Sequence, residues 1–421
     1  MADAFRGPLK VDASGRYLVD SAGTPFLWLG DTGWPMFAEY PADAAERYLE
    51  NRAKKGFTVV QSVLAWGKGS GFEAGPPLAN CRGEVPWLNG NPATPNPRYF
   101  DHAAHLLEAA ARHGIVVAAL PAWGYYVNEA KAVTAANARE YGRWLGNRFK
   151  AAPNLVWVNG GDRIPLGFEE VYRELGRGLR AGDGGAHPIT CHVPGPLSSS
   201  MFWHREDWLD LNMIQTWGSW TQVHAMVTSD RGLAPPKPVI HGEGAYEDGP
   251  EYPDGPITPL VCRRQAWWAF LAGAAGHTYG QNQMWRMEPG WEKGLDTPGA
   301  AQVGLIRKLL GSRRWWELVP DQSVIASGVS SERTLNAAAR GQDRSWAIIY
   351  LASQCDVRLD PGRILAKRVR TTWIDPRSGE TKDAGTFETG NLTGAVFPEL
   401  TARSFRVPGY WEDALLVLEA T

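Results

Sequence analysis

Eight short apolar runs, most of them followed by a stretch of helical character, constrain this 421-residue chain more than any other feature. They are FLWLGD (26–31), FTVVQSVLAW (57–66), IVVAALPAW (115–123), NLVWVNGGD (154–162), PITCHV (188–193), LNMIQTW (211–217), PVIHGE (238–243) and GHTYGQNQMW (276–285). Apolar spacing, with proline at starts and glycine past ends, predicts helices over 42–55, 98–113, 134–150, 168–181, 258–275 and 298–310. Shorter helical segments are expected over 203–210 and 220–230. Eight such units fit an α/β fold of the (β/α)8 TIM-barrel type. A doubly wound open sheet is the alternative, but no glycine-rich phosphate fingerprint follows an early strand.

The pattern changes after residue 318. SWAIIYL, RVRTTWID and SFRVPG are separated by turns such as DPRSGE, with no helix between them, which predicts a small antiparallel β-sandwich. The expected organisation is an N-terminal β-hairpin (1–25) covering the barrel's bottom, a catalytic barrel (26–318) and a β-sandwich (319–421). A chain of this length, 44% hydrophobic and 21% charged, can bury a core of that size. Net charge is −2 with no basic stripe, so neither nucleic acid nor an anionic membrane is expected as a partner. No apolar run approaches a membrane span. The opening MADAFRGPLK lacks the apolar segment of a secretory signal, so a cytoplasmic protein is expected. Cys81, Cys191, Cys262 and Cys355 lie far apart with no CxxC pair, which argues against a disulfide scaffold or structural zinc.

Twenty Trp stand beside 13 Tyr and 13 Phe. Many fall next to glycine, proline or polar residues at strand ends, as in AWGKGSG, PAWGYY and QTWGSW. Such rings can pack a core, but at strand ends they also suit a carbohydrate, with its apolar C–H faces and hydroxyl edges. In a TIM barrel the reacting groups come from the C-terminal ends of several strands. Polar residues gather there: Asp31, Gln61, Asn159, Asp162, His192, Gln215, His241, Glu243, Tyr279 and Gln281. Alternation puts His241 and Glu243 on one face with Val239; if Val239 points inward, Glu243 enters the mouth. Asp162 arrives on the fourth strand after two glycines, opposite the seventh. Two opposed carboxylates are what glycosidic cleavage requires, one to protonate the leaving oxygen and one to stabilise or trap the anomeric centre. Taken singly, Asp162 could be a turn former and Glu243 a rim residue. Glu247 is expected at the rim.

His192, His241 and His277 invite a metal reading, but neither H-x-H nor H-E-x-x-H spacing occurs, so no metal or other cofactor is expected. G-x-S-x-G is absent, and GKGSG (67–71) lacks the context of a phosphate loop. Two further readings stay open: a non-catalytic carbohydrate-binding protein on the same barrel, and a metal-dependent barrel hydrolase.

FLWLGDTGWPMF, LVWVNGGD and IHGEGAYE, in this order, resemble the apiosidase-like glycoside hydrolases (glycoside hydrolase family 140). TTWIDPRSGE resembles a stretch of the β-sandwich that follows their barrel and carries a collagen-binding label; no collagen activity is expected here. The resemblance covers nearly the whole chain. It implies a retaining exo-glycosidase acting on terminal apiose or a related furanose of plant glycans and glycosides. By motif, it makes Asp162 the acid/base and Glu243 the nucleophile. Asp31, His192, Gln215, His241 and Tyr279 are then candidates to contact substrate hydroxyls or the carboxylates. Trp34, Trp66, Trp123, Trp217 and Trp285 are candidates to wall the pocket.

Overall fold

The computed structural model describes residues 7–67, 75–253, 255–389 and 402–421. Most of the GKGSG stretch lies outside them. Eight parallel strands form the central sheet: β1 Trp28–Thr32, β2 Val59–Ala65, β3 Val116–Ala122, β4 Leu155–Gly160, β5 Ile189–His192, β6 Asn212–Gln215, β7 Val239–Glu243 and β8 Gly276–Tyr279. They are hydrogen-bonded in the order β5-β4-β3-β2-β1-β8-β7-β6. Between β5 and β6 the circle is closed by single bonds, from Asp210 N to the Ile189 carbonyl and from Thr190 Oγ1 to the Leu211 carbonyl (2.8 Å each). A short antiparallel strand, Leu197–Ser198, pairs with β6 beside this seam. The fold is a nearly closed TIM barrel, and all eight expected strands are present. The last is shorter than its apolar run: beyond Tyr279 the chain enters a short helix, Asn282–Arg286, whose first turn is capped by the Gln281 side chain.

Helices α1 Ala42–Lys54, α2 Pro97–Arg112, α3 Ala138–Phe149, α4 Glu169–Asp183, α5 Val223–Arg231, α6 Pro259–Leu271 and α7 Pro298–Gly311 form the outer layer. The β5–β6 connection holds only the short helix Ser200–Trp203. The barrel floor is filled by Trp28, which donates Nε1 to Thr278 Oγ1 (3.0 Å). Gly30 and Gly276 make room for it: a Cβ at Gly276 would lie 2.3 Å from the Trp28 Cβ. The N-terminal segment forms three short antiparallel strands, Lys10–Val11, Leu18–Val19 and Pro25–Phe26, one more than a hairpin. It is tied to the barrel's bottom where Arg16 donates to the Arg231 carbonyl at the end of α5 (2.6 Å).

Downstream, β9 Leu318–Pro320, β11 Ala337–Gly341, β12 Trp346–Leu351, β14 Arg368–Ile374, β15 Thr381–Glu388 and β17 Ala414–Ala420 form one antiparallel sheet, ordered β9-β11-β12-β17-β14-β15. Strands β10 Ile325–Ser327, β13 Asp356–Leu359 and β16 Arg403–Arg406 form the facing one. WAIIYL is continuously apolar because both faces of β12 are buried. Ala347, Ile349 and Leu351 pack against the facing sheet, while Trp346, Ile348 and Tyr350 join the cluster around α6. Helix α6 lies between barrel and sandwich, which explains why its sequence, PLVCRRQAWWAFL, has no polar stripe. Its Trp268 stacks on Trp220 (5.8 Å, 6°) and donates to the Leu335 carbonyl (2.8 Å). Buried Arg263 grips buried Asp413 through two hydrogen bonds (2.8 and 2.7 Å), and Tyr350 donates to the same carboxylate (2.7 Å). Removing one partner of such a pair leaves a buried charge uncompensated. Arg263→Ala should therefore destabilise the protein by about 3–5 kcal/mol, read as a lower urea-unfolding midpoint, and Asp413→Ala should match it.

Candidate active site

The end of β4 is built to turn a carboxylate inward. Gly160 and Gly161 have φ of +90° and +124°, and Asp162 itself adopts +49°. A Cβ on Gly160 would stand 2.2 Å from the His192 carbonyl, and one on Gly161 would meet Gly124 N and the Trp123 ring at 2.8 Å. Only glycine allows β3, β4 and β5 to approach this closely. Backbone bonds lock the turn: Gly161 N donates to the His192 carbonyl (2.9 Å) and Gly124 N to the Gly161 carbonyl (3.1 Å). The strained φ of Asp162 is over-determined by its surroundings, as such conformations at functional sites are.

Glu243 reaches the same place by a different device. On β7, Val239 belongs to the buried cluster that holds Val223 and Val227 of α5 and Phe270 of α6, so it faces the helices. His241 follows it outward. Simple alternation would send Glu243 out as well. The ladder to β6 is irregular here: Ile214 pairs with His241, but the next residue, Gln215, pairs with Glu243. The extra residue is Gly242, a β-bulge that re-aims the next side chain. The expectation that Val239 and His241 share the functional face with Glu243 is thus corrected, and the bulge is the device that puts Glu243 in the mouth. Gln61, inside the barrel on β2, donates Nε2 to the Gly242 carbonyl (2.5 Å) and so fastens the bulge.

His192, fully buried at the end of β5, joins the two carboxylates. Its Nε2 is 2.8 Å from Glu243 Oε2 and its Nδ1 3.6 Å from Asp162 Oδ1. One donor atom from each of Asp162, His192 and Glu243 lies within 4.8 Å of the other two, the donor types and spacing that could also receive a metal ion. Tyr246 accepts from Trp34 Nε1 (2.9 Å), which can only donate, leaving the phenol proton for neighbouring Glu243; burial, with the charge of Glu243, pushes the phenol's pKa up. Burial and the Glu243 charge push the Asp162 carboxyl up to about 7, against the opposing pull of His192 and of a hydrogen bond from Gln215. Burial disfavours the charged imidazole of His192, but the hydrogen bond and charge of Glu243, with the charge of Asp162, outweigh it and raise its pKa. Near neutrality Asp162 is therefore poised to give up its proton, beside an imidazole whose charged form the two carboxyl groups favour.

The aromatic wall is continuous around His192. Trp34 meets its ring edge-on at 5.4 Å, Trp123 lies 6.0 Å away, and Trp66 packs on Trp123 at 5.3 Å. All three indoles are buried. Half-buried Trp285 packs on Tyr246 (6.1 Å), and Trp217 on Tyr252 (5.4 Å). Gln215 also reaches the site, beside Asp162.

Three expected substrate contacts are not in the mouth. Asp31 is fully buried on the helix-facing side of β1, where it accepts from Arg52 Nε (2.5 Å) and Tyr48 (2.7 Å). His241 is held by Thr216 Oγ1 (3.0 Å) and His277 Nδ1 (2.9 Å), and burial lowers its pKa to about 3, so it stays neutral. Tyr279 aligns with Asp31 in the β1–β8 ladder and donates to Glu247. The reason is common to all: alternate residues at a strand's end face the helices, and a polar residue there serves the strand–helix interface. Glu247 is likewise not at the rim. It is buried, accepting from Tyr279, Thr297 Oγ1 (2.8 Å) and Gly299 N (2.8 Å) in the first turn of α7, where a carboxylate suits the helix dipole. Two contributions escape sequence reasoning: Tyr246 as a partner of Glu243, and Gln61 as the brace of the bulge. The GAYE motif contained the tyrosine, but nothing local reveals that Gln61 spans the lumen. Gln61→Leu would leave the Gly242 carbonyl unpaired, at a cost of about 1–3 kcal/mol, visible as a lower Tm. Gln61→Glu, which cannot donate when ionised, should not restore the loss at pH 8.

Two family models match the chain: "Apiosidase-like, catalytic domain" over residues 12–317 and "Putative collagen-binding domain of a collagenase" over residues 319–419. No curated protein sequence is matched. Among solved structures, a family 5 glycoside hydrolase from Bacteroides vulgatus ATCC 8482 is 27% identical, with TM-score 0.88 over 99% of this chain and 93% of that one. A second structure, a glycoside hydrolase, is 26% identical, with TM-score 0.87 over 99% and 97%. An exo-β-1,4-mannosidase from Opitutaceae bacterium strain TAV5 shares the fold at 14% identity, with TM-score 0.52 over 73% of this chain and 63% of that one. A matching model over most of the chain, on a barrel whose mouth holds paired carboxyls in an aromatic pocket, leads to one conclusion: this chain belongs to the apiosidase-like family and is a glycoside hydrolase.

Proposed function

We propose that the chain is a retaining exo-glycosidase that removes a terminal apiose-like or other furanose residue from plant-derived glycans or glycosides. The observation that carries this reading is the spacing of the carboxyl pair, with oxygens of Asp162 and Glu243 within 4.8 Å across His192. Retaining enzymes hold their carboxyls about 5–5.5 Å apart, whereas inverting enzymes need about 6.5–9.5 Å to admit a water. Ionised Glu243, oriented by His192 Nε2 and the Tyr246 hydroxyl, attacks the anomeric carbon. Asp162 gives its proton to the departing oxygen, so the C–O bond breaks as the glycosyl–Glu243 ester forms. Asp162, now a carboxylate, takes a proton from water, whose oxygen displaces Glu243 and restores both groups. Enclosure by Trp34, Trp123 and Tyr246 supports a pocket for a single terminal sugar. The preference for apiose or another furanose rests on the family.

The separation of roles matches the electrostatics. A carboxyl with a pKa near 7 can act as an acid at neutral pH, while Glu243 is held in place by its hydrogen bond to His192. A non-catalytic binding protein would have no use for a buried carboxyl pair. A metal-dependent hydrolase would use the same three side chains as ligands.

A screen of aryl furanosides and plant apiosides should find a substrate, and NMR should show the first-formed sugar with the substrate's own anomeric configuration; an inverted first product would overturn the nucleophile assignment. Glu243→Gln should lower kcat by several orders of magnitude while still binding substrate. Activity should survive EDTA, and loss that zinc restores would favour the metal reading. Because Asp162 must be protonated, kcat/KM should fall as pH rises through about 7.

A further inference from the structure

Resting on the glycosidase reading above, we infer that the leaving-group side of the site takes a flat, apolar aglycone, with Trp217 as its platform. The leaving oxygen must lie against the proton donor, so the aglycone sits beside Asp162 and its neighbours. Gln215, the last residue of β6, is one neighbour, and Trp217 follows two residues on, just past the strand's end. Among the tryptophans of the aromatic wall, Trp34, Trp66 and Trp123 are buried and Trp285 is half-buried, but Trp217 is 42% exposed. An exposed ring at the edge of an enclosed sugar pocket serves the part of a substrate that projects from that pocket.

The placement of Trp217 is built. Its φ is +44°, a conformation that bulky residues rarely adopt. Gly195 lies beneath it, where a Cβ would stand 2.8 Å from the Trp217 Cβ, and Tyr252 supports its ring. The preceding residue is pinned by the bond from Thr216 N to the Glu243 carbonyl (2.8 Å). Backbone strain of this kind persists where the surroundings hold it, and it clusters at ligand clamps.

The loop after Asp162, the proton donor, is itself apolar where it is exposed. Ile164 is 47% and Leu166 65% exposed. Two polar side chains beside this loop, Asn128 and Arg163, are engaged by the loops themselves. Asn128 donates Nδ2 to the Ile164 carbonyl (2.9 Å) and accepts from Tyr172 (2.6 Å); Arg163 is paired with Glu129 (2.5 Å) and with the Asp162 carbonyl (2.9 Å). A second sugar ring would need hydroxyl partners here, whereas an aromatic aglycone needs apolar area and a ring to stack on.

The test compares 2-naphthyl with methyl apiofuranosides, both anomers of each, so that the ratio of kcat/KM between variant and wild type cancels leaving-group reactivity. Trp217→Ala should lower the naphthyl-to-methyl ratio about tenfold, and Trp217→Phe should restore most of it. An unchanged ratio, or a larger loss on an apiosyl disaccharide than on the naphthyl glycoside, overturns the inference and leaves the glycosidase reading standing. If wild type cleaves neither glycoside, the sugar assignment has failed and binding decides. In that case 2-naphthol should bind wild type and weaken about tenfold with Trp217→Ala, while no binding to wild type overturns the inference.

Discussion

Burying two carboxyls together is unfavourable unless something between them carries positive charge, and in this barrel that task falls to His192. Its imidazole hydrogen-bonds Glu243 at 2.8 Å and stands 3.6 Å from Asp162. A dry, aromatic surround makes the compensation both necessary and strong, because Trp34 and Trp123 exclude the water that would otherwise solvate these charges. The same constraint divides the labour. Asp162, farther from the ring than Glu243, is the carboxyl pushed up to about 7, which suits it to act as the acid in glycosyl transfer.

Placing the two carboxyls and Trp217 depends on backbone irregularity more than on regular strands. Asp162 sits at positive φ after two glycines, Glu243 follows a bulge at Gly242, and Trp217 leaves β6 at positive φ. Irregular turns of this kind cost free energy, and rigid surroundings compensate. Gln61 reaches across the lumen to the bulge, the Gly161 and Gly124 amides close the β4 turn, and Trp28 fills the floor below. At the other end of the molecule, α6 is buried on both sides between barrel and sandwich, and the Arg263–Asp413 pair fixes their contact. Strain is thus concentrated at the mouth, where chemistry needs it, on a scaffold that is otherwise well satisfied.

Much of this was legible from local signals. Strand and helix periodicities marked the barrel, because each βα unit carries its own pattern of apolar spacing and turn residues. NGGD announced a tight, glycine-dependent turn ending in a carboxylate. The Trp-rich strand ends announced an aromatic pocket, and Trp34, Trp123, His192 and Gln215 are in it. Asp31, His241 and Tyr279 were misplaced because a polar residue at a strand's end looks the same in sequence whether it faces the mouth or the helices. Glu247 was misplaced because its partners, Thr297 and Gly299, lie some fifty residues away.

What the sequence by itself determined is the repeating architecture, the family motifs and the supply of carboxyls, imidazoles and indoles at one end of the barrel. These follow from local preferences and from spacing, which a linear chain records. Only the tertiary structure decided which of those groups meet. Glu243 enters the site through a one-residue slip between β6 and β7, and its neighbours His192 and Tyr246 come from β5 and from the loop after β7. A slip of one residue reverses the direction of a side chain, and no local preference registers it, because the hydrogen bond that fastens it comes from a glutamine on another strand, 181 residues away.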